Sequence, residues 1–370
     1  IVVFSDNAKY DLESAGEYTQ GAGGGALLIR HNPRLISIPD RWGVSTSPVH
    51  DFFKPRREVS IKSVISHVVQ LARETGASIK EGMVDRMVRH LPESTVRRMG
   101  IFSHGVDRVQ VHRDEPVFDG QFSNQCYQDA VEEAFRDFRS KAITDGRWDP
   151  DGETVLTEDW ARIIMHLPYA FQAKRMFPAV FAYERRGSAS WADVETEIGL
   201  PPSIDDFDDT PEGQAEHAKA MDGYRRSISK TQAYRDFHAD RIEKGQRASS
   251  LIGNQYTGSI FLAMMSTFES DYEADSPLDG RQFGLCGYGS GAKAKVFEGI
   301  VSDRWREVVA SWNLFERMAG RMAIDQVTYE LLHKGIHEGS VLKPRGEFAL
   351  VEIEGGEGEL EGARTYAWVE

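Results

Sequence analysis

Short apolar runs bounded by turn residues recur along this chain and predict strands. One of them, Ile163-Ile164-Met165, leads directly into His166, with Pro168 two residues later and a segment of helical spacing through Lys174. A buried strand of this kind delivers His166 to its carboxyl end, where open α/β sheets place their reactive groups. Pro168 suits an early helical position because its missing N–H would have no partner there. The pattern therefore predicts a strand, a candidate histidine and a helix that runs to about Arg186.

The same reasoning predicts the remaining elements. Strands are expected at 1–4, where the run should be buried and should have a neighbour, and at 26–29, 282–287, 295–301, 347–352 and 364–369. Helices are expected at 127–142, at 217–247 on the surface, and after Gly253 to Phe268, where the run is apolar enough to be central. Between them, Gly21–Gly25 is interpreted as a tight turn and 188–216 as an exposed acidic connection.

Composition narrows the class of protein. The 370 residues are 40% hydrophobic and 28% charged, as in ordinary soluble globular proteins. A net charge of −14 argues against a nucleic-acid binder. Two cysteines, Cys126 and Cys286, cannot form a disulfide framework, so a reducing, cytoplasmic compartment is expected. No apolar run reaches membrane-spanning length, and no signal peptide is visible.

Two glycine-rich stretches, 21–26 and 287–292, fit the pattern GxGxxA. A dinucleotide-binding fingerprint follows a strand and opens a helix, whereas the first stretch enters a predicted strand and the second continues into another. Close backbone approach is the better explanation of these glycines. Eleven histidines without an HExxH motif, and two distant cysteines, favour no metal site.

Five motifs occur in a characteristic order along the chain. They are SDNAKY at 5–10 with EYTQGAG at 17–23, HDFFKP at 50–55, HLPY at 166–169, GNQYTGS at 253–259 and GYGSG at 287–291. Together they resemble the 3-hydroxy-3-methylglutaryl-CoA synthase family, which are condensing enzymes of the thiolase superfamily. The resemblance covers most of the chain outside roughly 56–115. It implies an α/β fold, of the thiolase-like layered αβαβα kind, with an incomplete N-terminal half.

The resemblance also implies roles for individual residues. His166 matches the histidine that holds and polarises the acetoacetyl carbonyl, and Asn254 matches the amide beside it. The backbone of Ser290 matches an oxyanion donor. By the same resemblance, four more residues are expected to line the substrate site: Asp6, Thr19, Asp51 and Tyr256. Lys174 is expected to meet a phosphate of CoA, although Phe171 stands where the family often carries a second lysine.

The family's chemistry requires a nucleophilic cysteine and a general-base glutamate. In the family both belong to a segment that precedes the SDxAxY motif, which would lie upstream of Ile1. Cys126 on a helix and Cys286 in an apolar strand are expected to be packing residues. The chain, which begins inside an apolar run and without methionine, is therefore expected to be an inactive N-terminally truncated synthase.

Residues 56–115 differ from the rest in charge and in their lack of a family counterpart. From Lys54 to Arg113 there are 12 Lys/Arg against 6 Asp/Glu. Apolar residues at helical spacing predict two amphipathic helices, one around Val64–Leu71 and one around Met83–Leu91. The expected division is a remnant of the N-terminal half at 1–55, a helical insertion at 56–115, and a C-terminal half at 116–370. The insertion is either a solvated helical hairpin or a docking surface for a partner or an anionic ligand.

Three functions follow from the sequence. The first is synthesis of HMG-CoA from acetyl-CoA and acetoacetyl-CoA in the mevalonate route, by a homodimer that needs no cofactor beyond its CoA thioester substrates. The second is a β-branching synthase that acts on carrier-protein-bound acetoacetate and docks the acidic carrier on the basic block. The third is a non-catalytic thiolase-like partner subunit. Neither nucleic acid nor a membrane is an expected partner.

Overall fold

The computed structural model describes most of the chain. The described residues are 1–76, 82, 108–112, 115–148, 155–337, 339–355, 360 and 362–370. They form two compact units: Ile1–Lys54 with Asp114–Ala319, and Pro55–Arg113 with Gly320–Glu370. The three-part division at 55/56 and 115/116 stays a prediction.

Both units contain strands and helices. In chain order the strands are β1 (Val2–Ala8), β2 (Gly21–Leu27), β3 (Ile36–Ser37), β4 (Trp42–Thr46), β5 (Phe52–Phe53), β6 (Arg56–Ser60), β7 (Arg108–His112), β8 (Val117–Phe118), β9 (Trp160–Met165), β10 (Gln282–Gly289), β11 (Lys293–Val301), β12 (Glu347–Ile353) and β13 (Arg364–Val369). The α-helices are α1 (Ile61–Glu74), α2 (Gly120–Thr144), α3 (Leu156–Asp159), α4 (Gln172–Met176), α5 (Pro178–Arg185), α6 (Ala192–Ile198), α7 (Pro211–Ile228), α8 (Gln232–Arg241), α9 (Glu243–Ile252), α10 (Ser259–Glu273), α11 (Trp305–Val309), α12 (Leu314–Ala319) and α13 (Gln326–His333).

A mixed five-stranded sheet is the centre of the first unit. β10 pairs with β9 in parallel and with β11 antiparallel, and both β3 and β4 pair with β11. The parallel register sets Ile164 opposite Leu285 and Met165 opposite Cys286. These strands are apolar on both faces because helices cover them, as is typical of parallel pairs. The predicted strands at 163–165, 282–287 and 295–301 are confirmed.

Two long helices enclose this sheet. The carboxylate of Asp119 caps α2 by accepting from the N–H groups of Gln121 and Phe122 at 2.8 and 2.9 Å. α2 buries an aromatic stripe that includes Phe135 and Phe138, both packed near Trp160 of β9. α10 is buried along most of its length. The predicted helix at 127–142 is confirmed. The helix predicted after Gly253 to Phe268 is also confirmed and is central as expected, although it begins only at Ser259.

The region from Pro168 to residue 252 departs from the sequence prediction. Pro168 lies in a bend, the first helix after His166 begins at Gln172, and Pro178 opens the next one. Residues 188–216, predicted as a connection, contain α6, and 217–247, predicted as one surface helix, contribute to three helices. The sequence pattern missed these helices because their buried apolar residues are isolated and form no continuous apolar stripe at helical spacing. Those fully buried there include Trp191, Val194, Ile228 and Tyr234.

The predicted strand at 1–4 is present as part of β1 and has a neighbour, but the prediction that it is buried is wrong. β1 pairs antiparallel with β2, yet Val3 is 72% exposed. The glycines of 21–25 lie within β2 and not in a tight turn. They are required by close approach, because a Cβ on Gly21 would meet the backbone of Asn254, and one on Gly23 would meet the side chain of Gln255. The hairpin therefore lies directly on the loop that precedes α10.

The second unit contains the predicted helix around Val64–Leu71. The hydroxyl of Ser60 caps α1 by accepting from the Ser63 N–H at 3.0 Å. β6 pairs with β7, and β12 pairs with β13, both antiparallel, which confirms the two predicted C-terminal strands. The predicted helix around Met83–Leu91 lies outside the described residues. Across the described ranges, no helix combines the length and the apolar character needed to cross a bilayer.

Gly284 offers a test of the sheet–helix packing. A Cβ at this position in β10 would fall on the indole ring of Trp160, whereas a Cβ on Gly289 in the same strand meets no atom within 4 Å. Gly284→Ala should therefore lower the free energy of unfolding by about 1–3 kcal/mol through overpacking. Gly289→Ala is the matched control and should change it little. Urea denaturation measures both, and equal stability of the two variants would contradict the packing described.

Candidate active site

His166 is held by its backbone at the carboxyl end of β9. Its N–H donates to the carbonyl of Cys286 in β10 at 3.0 Å, which extends the parallel ladder by one residue. Its own carbonyl accepts from the hydroxyl of Tyr127 in α2 at 2.9 Å. The two rings lie with their centroids 6.4 Å apart. The sheet and α2 therefore fix His166 from two sides, as the strand pattern predicted for its position.

The imidazole of His166 is neutral at physiological pH. The residue keeps some solvent exposure, but the ring is enclosed by the protein, and this burial lowers its pKa from the ordinary 6.5 to about 4. Within the described ranges, its ring nitrogens have no hydrogen-bond partner and no carboxylate pairs with them. A neutral imidazole carries one N–H donor and one lone pair. The ring can thus donate a hydrogen bond to a bound carbonyl oxygen.

Asp51 ties the glycine-rich turn after β10 to the rest of the site. Its side chain is fully buried, and it accepts from the Tyr288 hydroxyl at 2.6 Å and from the Gly291 N–H at 2.7 Å. Burial, together with the hydrogen bond and negative charge of Asp51, raises the pKa of Tyr288 well above its usual value. The Tyr288 ring lies 4.6 Å from that of Tyr127. The turn, with exposed Ser290 between its last two glycines, is therefore anchored beside His166.

Asn254 holds the loop in front of α10. It is 1% exposed, its Oδ1 accepts from the Tyr256 N–H at 2.8 Å, and its Nδ2 donates to the Tyr10 hydroxyl at 3.1 Å. Its backbone N–H donates to the Thr19 carbonyl at 3.0 Å. Gly253, at φ +74°, makes this approach possible, because a Cβ there would overlap the Gln20 carbonyl. Asn254 thus joins the N-terminal hairpin to α10, and its contact with substrate stays a prediction.

Tyr256 connects this loop to the Asp51 region. It adopts φ +43°, and its ring lies 5.9 Å from that of Phe52 and 5.5 Å from the Lys54 ammonium. Burial raises its pKa, with smaller contributions from Tyr10 and from the charge of Asp6. Because Phe52 follows Asp51 in the chain, the structure brings five predicted residues into one region of the first unit. They are Asp6, Thr19, Asp51, Asn254 and Tyr256.

Lys174 is placed differently. Its side chain is exposed on α4, and its carbonyl accepts from the Tyr234 hydroxyl at 3.1 Å. Among the described residues its ammonium forms no ion pair, so it is open to an anion, but no hydrogen bond between described residues joins it to the His166 group. Phe171, at the position of the family's second lysine, is 64% exposed. A phosphate contact at Lys174 stays a prediction.

The two cysteines have unreactive surroundings. Burial raises the pKa of the Cys286 thiol to about 12, since the residue is fully enclosed in β10. Burial and then the charge of Asp51 raise the pKa of the Cys126 thiol on α2. A thiol that stays protonated at neutral pH is a poor nucleophile. In the part of the chain that the structure describes, no group of three or more His, Cys, Asp and Glu side chains is arranged to hold a metal ion.

Three tyrosines of this region were not predicted as site residues. Tyr127 supports the His166 carbonyl, Tyr288 pairs with Asp51, and Tyr10 accepts from Asn254. Tyr10 lies in the motif at 5–10 and Tyr288 in the motif at 287–291, so the sequence motifs could have identified both tyrosines as site residues. Tyr127 stands in an amphipathic helix, where a buried aromatic residue is expected from packing alone. Its role depends on where α2 lies against β9.

The fold and this site define an α/β protein whose candidate histidine lies at the carboxyl end of a parallel strand pair. The sequence profile described as "Hydroxymethylglutaryl-coenzyme A synthase C terminal" matches residues 109–337, which is more than half of the chain. The chain belongs to the hydroxymethylglutaryl-CoA synthase family. The family suggested by the five motifs is thereby confirmed.

Three hydroxymethylglutaryl-CoA synthases match this chain at low sequence identity. The chain is 26% identical to the hydroxymethylglutaryl-CoA synthase of Haloferax volcanii, over 100% of this chain and 68% of that protein. It is 23% identical to the synthase of Saccharomyces cerevisiae over 62% of this chain, and 22% identical to that of Enterococcus faecalis over 81%. It spans 45% and 48% of those two proteins.

Solved structures share the fold. The structure titled "MvaS in complex with 3-hydroxy-3-methylglutaryl coenzyme A" superposes with a TM-score of 0.65 at 25% identity, over 100% of this chain and 66% of that one. The curacin-pathway HMG synthase in complex with holo donor-ACP superposes with a TM-score of 0.59 at 16% identity, again over 66% of its length. The predicted thiolase-like α/β fold is confirmed over about two thirds of these chains.

The titration of His166 can be measured directly. NMR of the ring in uniformly labelled chain should show it neutral until the pH falls to about 4, with His166→Gln identifying the signal. Because the folded pKa lies below the unfolded value, the unfolded chain binds the proton more readily between pH 6.5 and 4. The contribution of this ring to stability is therefore complete above about pH 6.5 and is lost as the pH falls toward 4. A midpoint near 6.5 would show that the ring is not enclosed.

Proposed function

We propose that this chain supplies the acetoacetyl-binding part of an HMG-CoA synthase site, which condenses acetyl-CoA with acetoacetyl-CoA to HMG-CoA. The observation that supports it most is the His166 imidazole. It is neutral, has no hydrogen-bond partner among the described residues, and lies at a strand end beside the turn that Asp51 anchors. Family membership supplies the reaction class.

In the proposed reaction, the catalytic cysteine takes the acetyl group from acetyl-CoA and free CoA leaves. A base then removes a methyl proton from the acetyl-cysteine thioester, and the resulting enolate carbon forms a bond to the ketone carbon of acetoacetyl-CoA. The ketone π electrons move to its oxygen, which becomes an alkoxide and is then protonated. Water hydrolyses the thioester to the cysteine, which releases HMG-CoA and restores the thiol. A donor aimed at that oxygen stabilises the developing charge. The His166 N–H is suited to this because a neutral ring keeps a donor without placing a cation beside the substrate thioester.

We propose that backbone N–H groups of the glycine-rich turn donate hydrogen bonds to the acyl group. Asp51 accepts from Gly291 and Tyr288, and so holds residues 287–291 in one conformation. A preorganised turn presents backbone donors without reorganisation during the reaction. On this proposal the backbone of Ser290 faces the acyl oxygen, while Asn254, Thr19 and Tyr256 shape the acetoacetyl side of the site.

The nucleophilic thiolate and the general-base glutamate are proposed to come from protein outside residues 1–370, as the resemblance implies. Cys286 and Cys126 both have raised thiol pKa values, which leaves little thiolate at neutral pH. Since the chain spans 66% of the solved family members, the complete reaction is a proposal for the complete enzyme.

A histidine variant tests the role of His166. In the complete enzyme, His166→Ala should lower the rate of condensation about 10²-fold or more, the usual scale for loss of such a donor. Acetylation of the catalytic cysteine should be affected much less, because His166 faces the second substrate. His31→Ala, an exposed histidine elsewhere in the first unit, is the control and should leave both steps unchanged. Equal loss of both half-reactions in His166→Ala would assign His166 a structural role.

The 370-residue chain by itself should form no acyl-enzyme, because neither thiol is activated. Incubation with isotopically labelled acetyl-CoA followed by intact-mass spectrometry measures this, and Cys126→Ser with Cys286→Ala identifies any labelled residue. The expected result is no mass increase and no HMG-CoA. Stoichiometric acetylation of Cys126 or Cys286 together with HMG-CoA formation would overturn the assignment of these thiols as packing residues.

A further inference from the structure

A small cavity lies between α2, α5 and α7, on a part of the first unit that the proposed reaction does not use. Its volume is about 180 Å³, and its lining includes Glu132, Arg136, Tyr183, Arg186, Met221 and Arg225. An engineered cavity of about 150 Å³ accommodates benzene, so this one has room for a small ligand. None of the residues that line the cavity is among those described above in the His166 region.

The lining is positive although the protein carries a net charge of −14. Three guanidinium groups and one carboxylate line the cavity, and further carboxylates that act on Arg225 lie outside the lining. Glu132 lies 2.5 Å from Arg136 and 3.9 Å from Arg225, so it is shared between them. Asp222, outside the lining, also approaches Arg225 at 3.5 Å. Within the described ranges, Arg186 has no carboxylate within 4 Å.

Aromatic rings lie within 6 Å of two of these arginines. The Arg136 guanidinium lies 4.4 Å from the centre of the Tyr183 ring. Arg186, at the C-terminal end of α5, lies 5.9 Å from the rings of both Trp191 and Tyr224, which are buried. A guanidinium stacked on a ring keeps its N–H edge free for hydrogen bonding, and less conformational freedom is lost when it binds.

We propose that this cavity is an oxyanion-binding site that takes a phosphate group. Arginine presents paired N–H donors that match phosphate oxygens, and a phosphate monoester carries a charge of about −1.5 to −2 at pH 7, which attracts it to a cluster of guanidinium groups. Arg186 is the principal ligand because no carboxylate competes for it, and Arg136 and Arg225 turn from Glu132 toward the anion. The phosphate can be the free ion or the end of a larger metabolite. This site does not depend on the proposed function.

Isothermal titration of the complete 370-residue chain with sodium phosphate tests the proposal, with sodium chloride at equal ionic strength as the blank. Saturable binding is expected, with a Kd on the order of 1 mM, which is modest because the cavity is open to solvent. Arg186→Gln should weaken binding about 10-fold or more, since a charge-assisted contact is lost. Arg226→Gln removes the same charge from the next residue after Arg225, which is exposed and does not line the cavity, and should bind as the unaltered chain does.

A second titration, with glycerol phosphate, distinguishes the two sources of the phosphate. If glycerol phosphate binds more tightly than inorganic phosphate, the natural ligand is a metabolite; if it binds more weakly, the ligand is the free ion. In either case Arg186→Gln must weaken the binding. Should that variant fail to fold, as judged by its circular dichroism, Arg136→Gln replaces it, because the Arg136 side chain is 52% exposed. Absence of saturable binding at matched ionic strength, or equal affinity in the cavity variants and Arg226→Gln, would overturn the proposal.

Discussion

The parallel pairing of β9 with β10 is the constraint on which the candidate site depends. Because Met165 lies opposite Cys286, the next peptide N–H, that of His166, continues the ladder by donating to the Cys286 carbonyl. The same strand, β10, then runs on to Tyr288 and the glycine-rich turn. One strand register therefore places a histidine from residue 166 beside a turn more than a hundred residues later. A slip of one residue would turn both sets of side chains to the opposite face.

Buried polar contacts complete what the strand register begins. Asp51 is fully enclosed, and its two oxygens are satisfied by Tyr288 and the Gly291 N–H. Removing either kind of partner from such a group leaves a buried polar atom unpaired, which costs about 1–3 kcal/mol. Asn254 is a second buried polar residue of this kind, and its hydrogen bonds connect Tyr10 and Thr19 to the loop before α10. These two side chains explain why short motifs far apart in the sequence belong to one region.

Charge is distributed unevenly over the first unit. The His166 region has buried carboxylate and tyrosine hydroxyls but few cations, with Lys54 near Tyr256 and Lys174 exposed on α4. The arginine-lined cavity also lies along α2, and its lining shares no residue with that region. Burial lowers the pKa of His166 and raises those of both thiols, so the environment that keeps the imidazole neutral also keeps the cysteines protonated.

Local patterns in the sequence determined the strand at 163–165, the central helix after Gly253, the position of His166 and the family, because each depends on a continuous apolar run or a compact motif. Tertiary structure decided the rest. Trp191 and Tyr234 are single apolar residues in polar stretches, so the segments that contain them show no continuous apolar pattern in the sequence. Tyr127 acquires its role only because α2 lies against β9, and the apolar run at 1–4 did not indicate that Val3 would be exposed. Periodicity records which residues prefer burial, whereas the partner that buries them is set by contacts between segments distant in the chain.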